Sequence, residues 1–177
     1  MPKKLIQYIT KEEYEKILQH TLKQRKKNSK KLALCMMLAF EAGLRISEIV
    51  GYVDRVPKLT FKAISLEQNS IRLTNAKGGK DRIVPLPKRF NAAAIKLLPI
   101  ELNRRTLEYH VKKVGQEVLG KDIHFHTLRH GFGSHLAAMG RPLHEIQMLM
   151  GHSRLDTTGV YLHANPKKAI DGAREVF

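Results

Sequence analysis

Met150-Gly151-His152-Ser153-Arg154-Leu155-Asp156-Thr157-Thr158-Gly159-Val160-Tyr161 sets a histidine and a tyrosine nine residues apart near the end of a 177-residue chain. By itself the stretch is ambiguous, because Tyr161 also reads as a packing tyrosine near a helix end, as Tyr8, Tyr14, Tyr52 and Tyr109 do. Upstream lies His126-Thr127-Leu128-Arg129-His130, at a helix start, where i, i+3 and i+4 spacing brings His126, Arg129 and His130 near one another. Histidines four apart also bind zinc. Here, however, the motif has no glutamate of the metalloprotease kind, and an arginine stands between the rings. Further upstream come Lys77-Gly78-Gly79-Lys80-Asp81-Arg82 and Gly43-Leu44-Arg45-Ile46-Ser47-Glu48-Ile49. Arg45 taken singly is a solvated arginine at a helix end, and Glu48 an ordinary helix carboxylate.

The elements around these motifs can be read from period and punctuation. Thr10 with Glu13 forms a capping-box pattern, followed by Tyr14, Ile17, Leu18 and Leu22 on one helical face. Six basic residues in the nine from Lys23 to Lys31 then form either a solvated helix end or a phosphate-contacting surface. They lead into Leu32 to Phe40, apolar on every side, which predicts a central buried helix stopped by Gly43. From Leu59 to Leu86 the pattern changes to short β-prone pieces, Leu59 to Phe61, Ser70 to Thr74 and Arg82 to Leu86, with Gly78-Gly79 placed for a tight turn. Helical period returns with Leu107, Val111, Val114 and Val118, and again with Leu128, Phe132, Leu136 and Met139. Gly140, Gly151 and Pro166 punctuate shorter helices. The fold class expected is α+β, mainly α: a helical bundle with a small antiparallel three-stranded sheet.

Composition narrows the partner. The formal charge is +16, from 32 Lys and Arg against 16 Asp and Glu. That excess, spread along the chain rather than on one amphipathic helix, points to nucleic acid more than to a membrane surface. The single cysteine, Cys35, sits in the apolar run, so no disulfide framework forms within the chain and a buried small hydrophobe is expected. The run is far shorter than the roughly 20 apolar residues needed to span a bilayer, and the N-terminus lacks an apolar signal core. A cytoplasmic protein is expected.

Taken in order, the Arg45, Lys77, His126-x-x-Arg129-His130, Gly151-His152-Ser153 and Tyr161 motifs resemble the signature of the tyrosine recombinases, especially Xer-type and phage integrases. The resemblance runs from about residue 9 to residue 164. It implies the tyrosine-recombinase catalytic fold and a site-specific enzyme that cleaves and rejoins DNA through a 3′-phosphotyrosine. Tyr161 is the implied nucleophile. A free phenol, with a pKa near 10, is ionised to only about one part in a thousand at neutral pH, and His126 is the implied acid/base partner. Arg45 and Arg129 match the pair of guanidinium forks that meet the nonbridging oxygens, and His152 adds a further donor to them. These cations stand where many nucleases use a metal, so no metal and no cofactor is expected.

The resemblance also implies a lysine on a β-hairpin that protonates the leaving 5′ oxygen. Lys77 and Lys80 both compete for this role, and the family pattern Lys-Gly-x-Lys favours Lys77. Lys80, Arg82 and His130 are then assigned to DNA contacts, and Glu48 to orienting Arg45 or a neighbouring histidine.

Residues 1–177 read as one catalytic domain without the N-terminal helical DNA-binding domain usual in the family, either as a fragment or as a minimal protein. A short helix at 166–177 is expected to dock on a neighbouring subunit or fold back on its own domain. The partners implied are double-stranded DNA and further copies of the chain, tetrameric in the synapse and monomeric when free, with no membrane. A type IB topoisomerase, and a DNA-binding regulator of the same fold that has lost catalysis, remain the alternatives at this point.

Overall fold

The run from Leu32 to Phe40 is buried at every position, and the molecule is assembled around it. The computed structural model describes residues 8–24, 26–52, 56–74 and 81–151. The run lies in α2 (Ser29–Glu41), against which pack α1 (Lys11–Lys23), α3 (Ile46–Val50), α5 (Arg104–Leu119) and α6 (Phe125–Ala138). A helix apolar on all sides is stable only when it is covered on all sides, which is what these neighbours do. Cys35 is fully buried and unpaired, its thiol pushed up by desolvation.

The capping box forms as expected: Thr10 Oγ1 accepts from Glu13 N at 3.2 Å, and Glu13 Oε2 accepts from Thr10 N at 3.0 Å. Tyr14, Ile17 and Leu18 are buried, but Leu22 is 55% exposed and Thr21 takes the inward place in the last turn. Thr21 is accommodated because its hydroxyl donates to Ile17 O at 2.8 Å, so no polar atom is stranded.

Gly43 ends the α2 segment with φ +67°, and a Cβ there would sit 2.6 Å from the Phe132 ring. Only glycine meets both demands, the left-handed backbone and the close approach. The turn delivers Arg45 as N-cap of α3.

The sheet is antiparallel in the order β1–β2–β3, with β1 at Ile64–Ser65, β2 at Ser70–Leu73 and β3 at Arg82–Pro85. The first strand lies later than the predicted Leu59 to Phe61. Leu59 is instead buried in a loop, donating to Ile49 O at 3.2 Å, and Phe61–Ala63 form a 3-10 turn. The register pairs Ile71 with Val84 and Leu73 with Arg82. Opposed residues share a face, so Arg82 lies on the same side as the buried Ile71, Leu73 and Val84. The expected Gly78-Gly79 turn lies outside the described residues.

After α4 (Ala92–Ile95), the two predicted helices appear as α5 and α6, followed by α7 (Leu143–Met150). Leu107, Val111, Val114, Leu128 and Phe132 are buried as expected, whereas Met139 is exposed because it caps α6 rather than continuing it. Phe132, Ile146 and Met150 form a small second cluster joining α6 to α7.

Candidate active site

Glu48 is 2% exposed and accepts four hydrogen bonds. Two come from Arg45: its backbone N at 2.7 Å and its Nη1 at 3.0 Å. The other two are a guanidinium fork from Arg82, Nη1 at 2.7 Å and Nη2 at 2.8 Å, one to each carboxylate oxygen. Burial by itself would raise this carboxyl, but the Arg82 hydrogen bonds and charge, and then Arg45, hold it down near 2. Glu48 is therefore ionised, and it holds both the backbone and the guanidinium of Arg45. It also binds Arg82, a link the motif alone did not suggest.

Arg82, expected from the sequence to contact the DNA backbone, is turned inward. Its side chain is 7% exposed, its fork is occupied by Glu48, and its Nε donates to Leu149 O at 3.0 Å. A signal for this exists in the sequence: in a strand, Arg82, Val84 and Leu86 share a face, and Val84 and Leu86 are core residues.

Arg129 is 2% exposed. Its Nη1 donates to Gly43 O and its Nη2 to Met150 O. Arg45, with 17% of its side chain open, donates through Nη2 to Gly151 O at 3.1 Å. Arg45 and Arg129, far apart in sequence, thus meet at adjacent carbonyls at the end of α7. Gly151 makes the meeting possible with φ +60°, and a Cβ there would lie 3.0 Å from Arg82 Cδ.

The start of α6 is held by its neighbours. His124 N donates to Thr127 Oγ1 at 3.2 Å, and Phe125 N donates to Glu108 Oε2 of α5 at 3.2 Å. His126 and His130 stand one turn apart with ring centroids 5.3 Å apart and planes at 70°. The His126 residue as a whole reaches the surface, yet desolvation of its ring, then the charges of Arg129 and Arg45, lower its pKa below 6.5. His130 is pushed down to about 4 by burial, His126 and Arg129. Both imidazoles are therefore neutral near pH 7. Among the described residues no third His, Cys, Asp or Glu joins them to make a metal-binding group.

A cleft of about 280 Å³ opens beside Glu48, lined in part by Lys58, Lys62, Arg72 and Thr74. These basic residues were not singled out by motif, since isolated surface lysines carry no spacing signal. Lys77, Lys80, His152 and Tyr161, and the segment 166–177, lie outside the described residues.

A mainly helical domain with a three-stranded antiparallel sheet, gathering Arg45, Glu48, Arg129 and a histidine pair at one end of the central helix, defines a catalytic domain of the tyrosine recombinase class. The chain belongs to the phage integrase family, whose model matches residues 7–168. Among similar proteins, a tyrosine recombinase of Thermosipho africanus is 31% identical over 156 residues, 78% of this chain and 52% of that protein. The tyrosine recombinase XerA of Thermococcus kodakarensis is 31% identical over 179 residues, 91% of this chain and 59% of that protein. This chain thus spans about half the length of the curated relatives it matches.

Solved structures share the fold. XerH site-specific recombinase bound to its difH substrate, a pre-cleavage complex, superposes with a TM-score of 0.73 at 23% identity, over 98% of this chain and 55% of that one. The catalytic domain of bacteriophage HP1 integrase gives 0.64 at 22% identity, over 96% of this chain and 94% of that one. No helix among the described residues is long and apolar enough to cross a membrane.

Proposed function

We propose that this chain is the cleaving and rejoining domain of a site-specific recombinase that acts on double-stranded DNA through a 3′-phosphotyrosine at Tyr161. One observation carries the reading: Arg45 and Arg129 converge from separate elements on the Gly151 and Met150 carbonyls, immediately before His152 in the chain. Two guanidinium groups in one place suit the charge that grows on the nonbridging oxygens as phosphorus becomes five-coordinate.

In this mechanism the Tyr161 oxygen attacks phosphorus, the bond to the 5′ oxygen breaks, and Lys77 protonates that oxygen as it leaves. His126, kept unprotonated by its lowered pKa and so free to act as an acceptor, takes the phenol proton. The phosphotyrosyl ester conserves the bond energy, so a 5′-hydroxyl from a second strand reverses the step with no cofactor. His152 donates to the same phosphate, and Lys80, His130 and the basic cleft residues Lys62 and Arg72 contact the DNA. The active assembly is a tetrameric synapse on DNA, formed from a free monomer in the cytoplasm.

The test is a nicked suicide duplex, run over a panel of candidate sites and read as a denaturant-resistant protein–DNA adduct. Wild type is expected to form the adduct, and Tyr161→Phe to bind the same duplex while forming none. An adduct with Tyr161→Phe names the wrong nucleophile. Binding without any adduct by wild type removes the enzyme reading.

A further inference from the structure

Three consecutive carbonyls at the end of α7 are each received by an arginine from a different part of the chain. Leu149 O accepts from Arg82 Nε at 3.0 Å, Met150 O from Arg129 Nη2, and Gly151 O from Arg45 Nη2 at 3.1 Å. The last carbonyls of a helix lack partners within it and carry the negative end of its dipole, so cations are well placed there. Arg45 and Arg129 already have a task at the phosphate. Arg82 has none, and it cannot reach a ligand without leaving Glu48, a buried carboxylate whose unpaired charge would be costly.

We propose that Arg82 is a positioning residue: its fork fixes the Glu48 carboxylate that aims Arg45, and its Nε anchors the last turn of α7 from which the chain enters His152. This rests on the reading of Arg45 and Arg129 as the phosphate-binding pair. Of the four hydrogen bonds to Glu48, Arg82 supplies two and Arg45 the other two, so freeing one partner lets the carboxylate turn and loosens the other. Misplacement of a catalytic group by about 1 Å can cost on the order of 100-fold in rate. A Cβ on Gly151 would lie 3.0 Å from Arg82 Cδ and 3.2 Å from its Nε, so the end of α7 leaves room for this arginine only because residue 151 is glycine. Lysine does not substitute, because a single ammonium cannot span both Glu48 oxygens and the Leu149 carbonyl.

The experiment compares wild type with Arg82→Lys. Without DNA, NMR of the Arg45 Nε–H group is expected to show faster solvent exchange and lower order in the variant. On the duplex that wild type cleaves, adduct formation is expected to slow by about 10- to 100-fold, with DNA affinity within about twofold. The deficit is expected to shrink on a scissile methylphosphonate, whose uncharged methyl removes part of the charge Arg45 serves.

Unchanged Arg45 order overturns the proposal, as does an equal deficit on both substrates, which marks mere support of the fold. Weakened DNA binding with unchanged cleavage also overturns it, by making Arg82 a DNA contact. If wild type forms no adduct on any duplex, the recombinase reading fails, and the positioning claim is judged on Arg45 order alone. Should Arg82→Lys not fold, the double variant Arg82→Met with Glu48→Gln removes the buried charges together. It is expected to fold and still show the loosened Arg45, and a fully ordered Arg45 in it overturns the proposal.

Discussion

Glu48 and His130 each contribute stability that is lost as pH falls, in separate windows, with His126 adding to the upper one. A carboxyl near 2 in the folded state and 4.5 in its ordinary state adds stability that is complete above 4.5 and lost as pH falls toward 2. At about 1.4 kcal/mol per unit, the amount is on the order of 3 kcal/mol. His130 acts at higher pH. Its pKa is about 4 when folded against 6.5 ordinarily, so the folded state resists protonation and stability declines as pH drops from 6.5 toward 4. Urea midpoints measured from pH 7.5 to 3 are expected to fall through both windows. His130→Gln is expected to reduce the slope of the upper window, leaving the part His126 contributes, and to leave the lower one, and an unchanged upper slope would remove His130 as a source. Arg45, Arg129 and both histidines were legible from motif order. The inward Arg82 was signalled only by its strand alternation with Val84 and Leu86, against the default reading of a basic residue after a hairpin as a surface cation.

The turn between α2 and α3 shows how backbone geometry supports this site. Gly43 combines φ +67° with the Phe132 ring 2.6 Å from the position of a Cβ, and its carbonyl receives Arg129. Gly120, which caps α5 at φ +63°, has nothing within 4 Å of the same position. Gly120→Ala therefore isolates the cost of a left-handed alanine, on the order of 1 kcal/mol. Gly43→Ala is expected to cost more, about 2–4 kcal/mol in denaturant titrations, because the ring must also move. Equal losses at the two positions would show that the Phe132 contact yields freely. The longer helices α1, α2, α5 and α6, the second and third strands and the glycine stops were readable from period and punctuation, whereas the short α3 and α4 were not. The first strand was not, since Leu59 is apolar for a reason other than pairing: it fills the core from a loop, bonded to Ile49.

For the molecule as a whole, the charge of +16 sets the expected behaviour on DNA. If 6 to 10 phosphates are neutralised, affinity should fall by roughly 10³ to 10⁵ between 50 and 200 mM salt. Fluorescence anisotropy on a labelled duplex measures that slope. Because arginines and histidines, rather than an ion, are proposed to meet the phosphate, adduct formation should persist in EDTA, and its abolition by chelator would count against the mechanism. The ion pairs away from the site, such as Lys58 with Glu101 and Lys112 with Asp122, are exposed and contribute little to stability.

The sequence by itself determined the family, the mainly helical class with a small sheet, the buried central helix and the order of the candidate site motifs. Each of these is a local pattern of period, spacing or residue type. Tertiary structure decided that Thr21 rather than Leu22 faces inward, that Arg82 is bound by Glu48, and that three arginines share the end of α7. Those outcomes depend on partners far along the chain. A buried charge is stable only where a distant partner meets it: strand alternation marks the face Arg82 shares with Val84 and Leu86, but no local pattern names Glu48 as its partner.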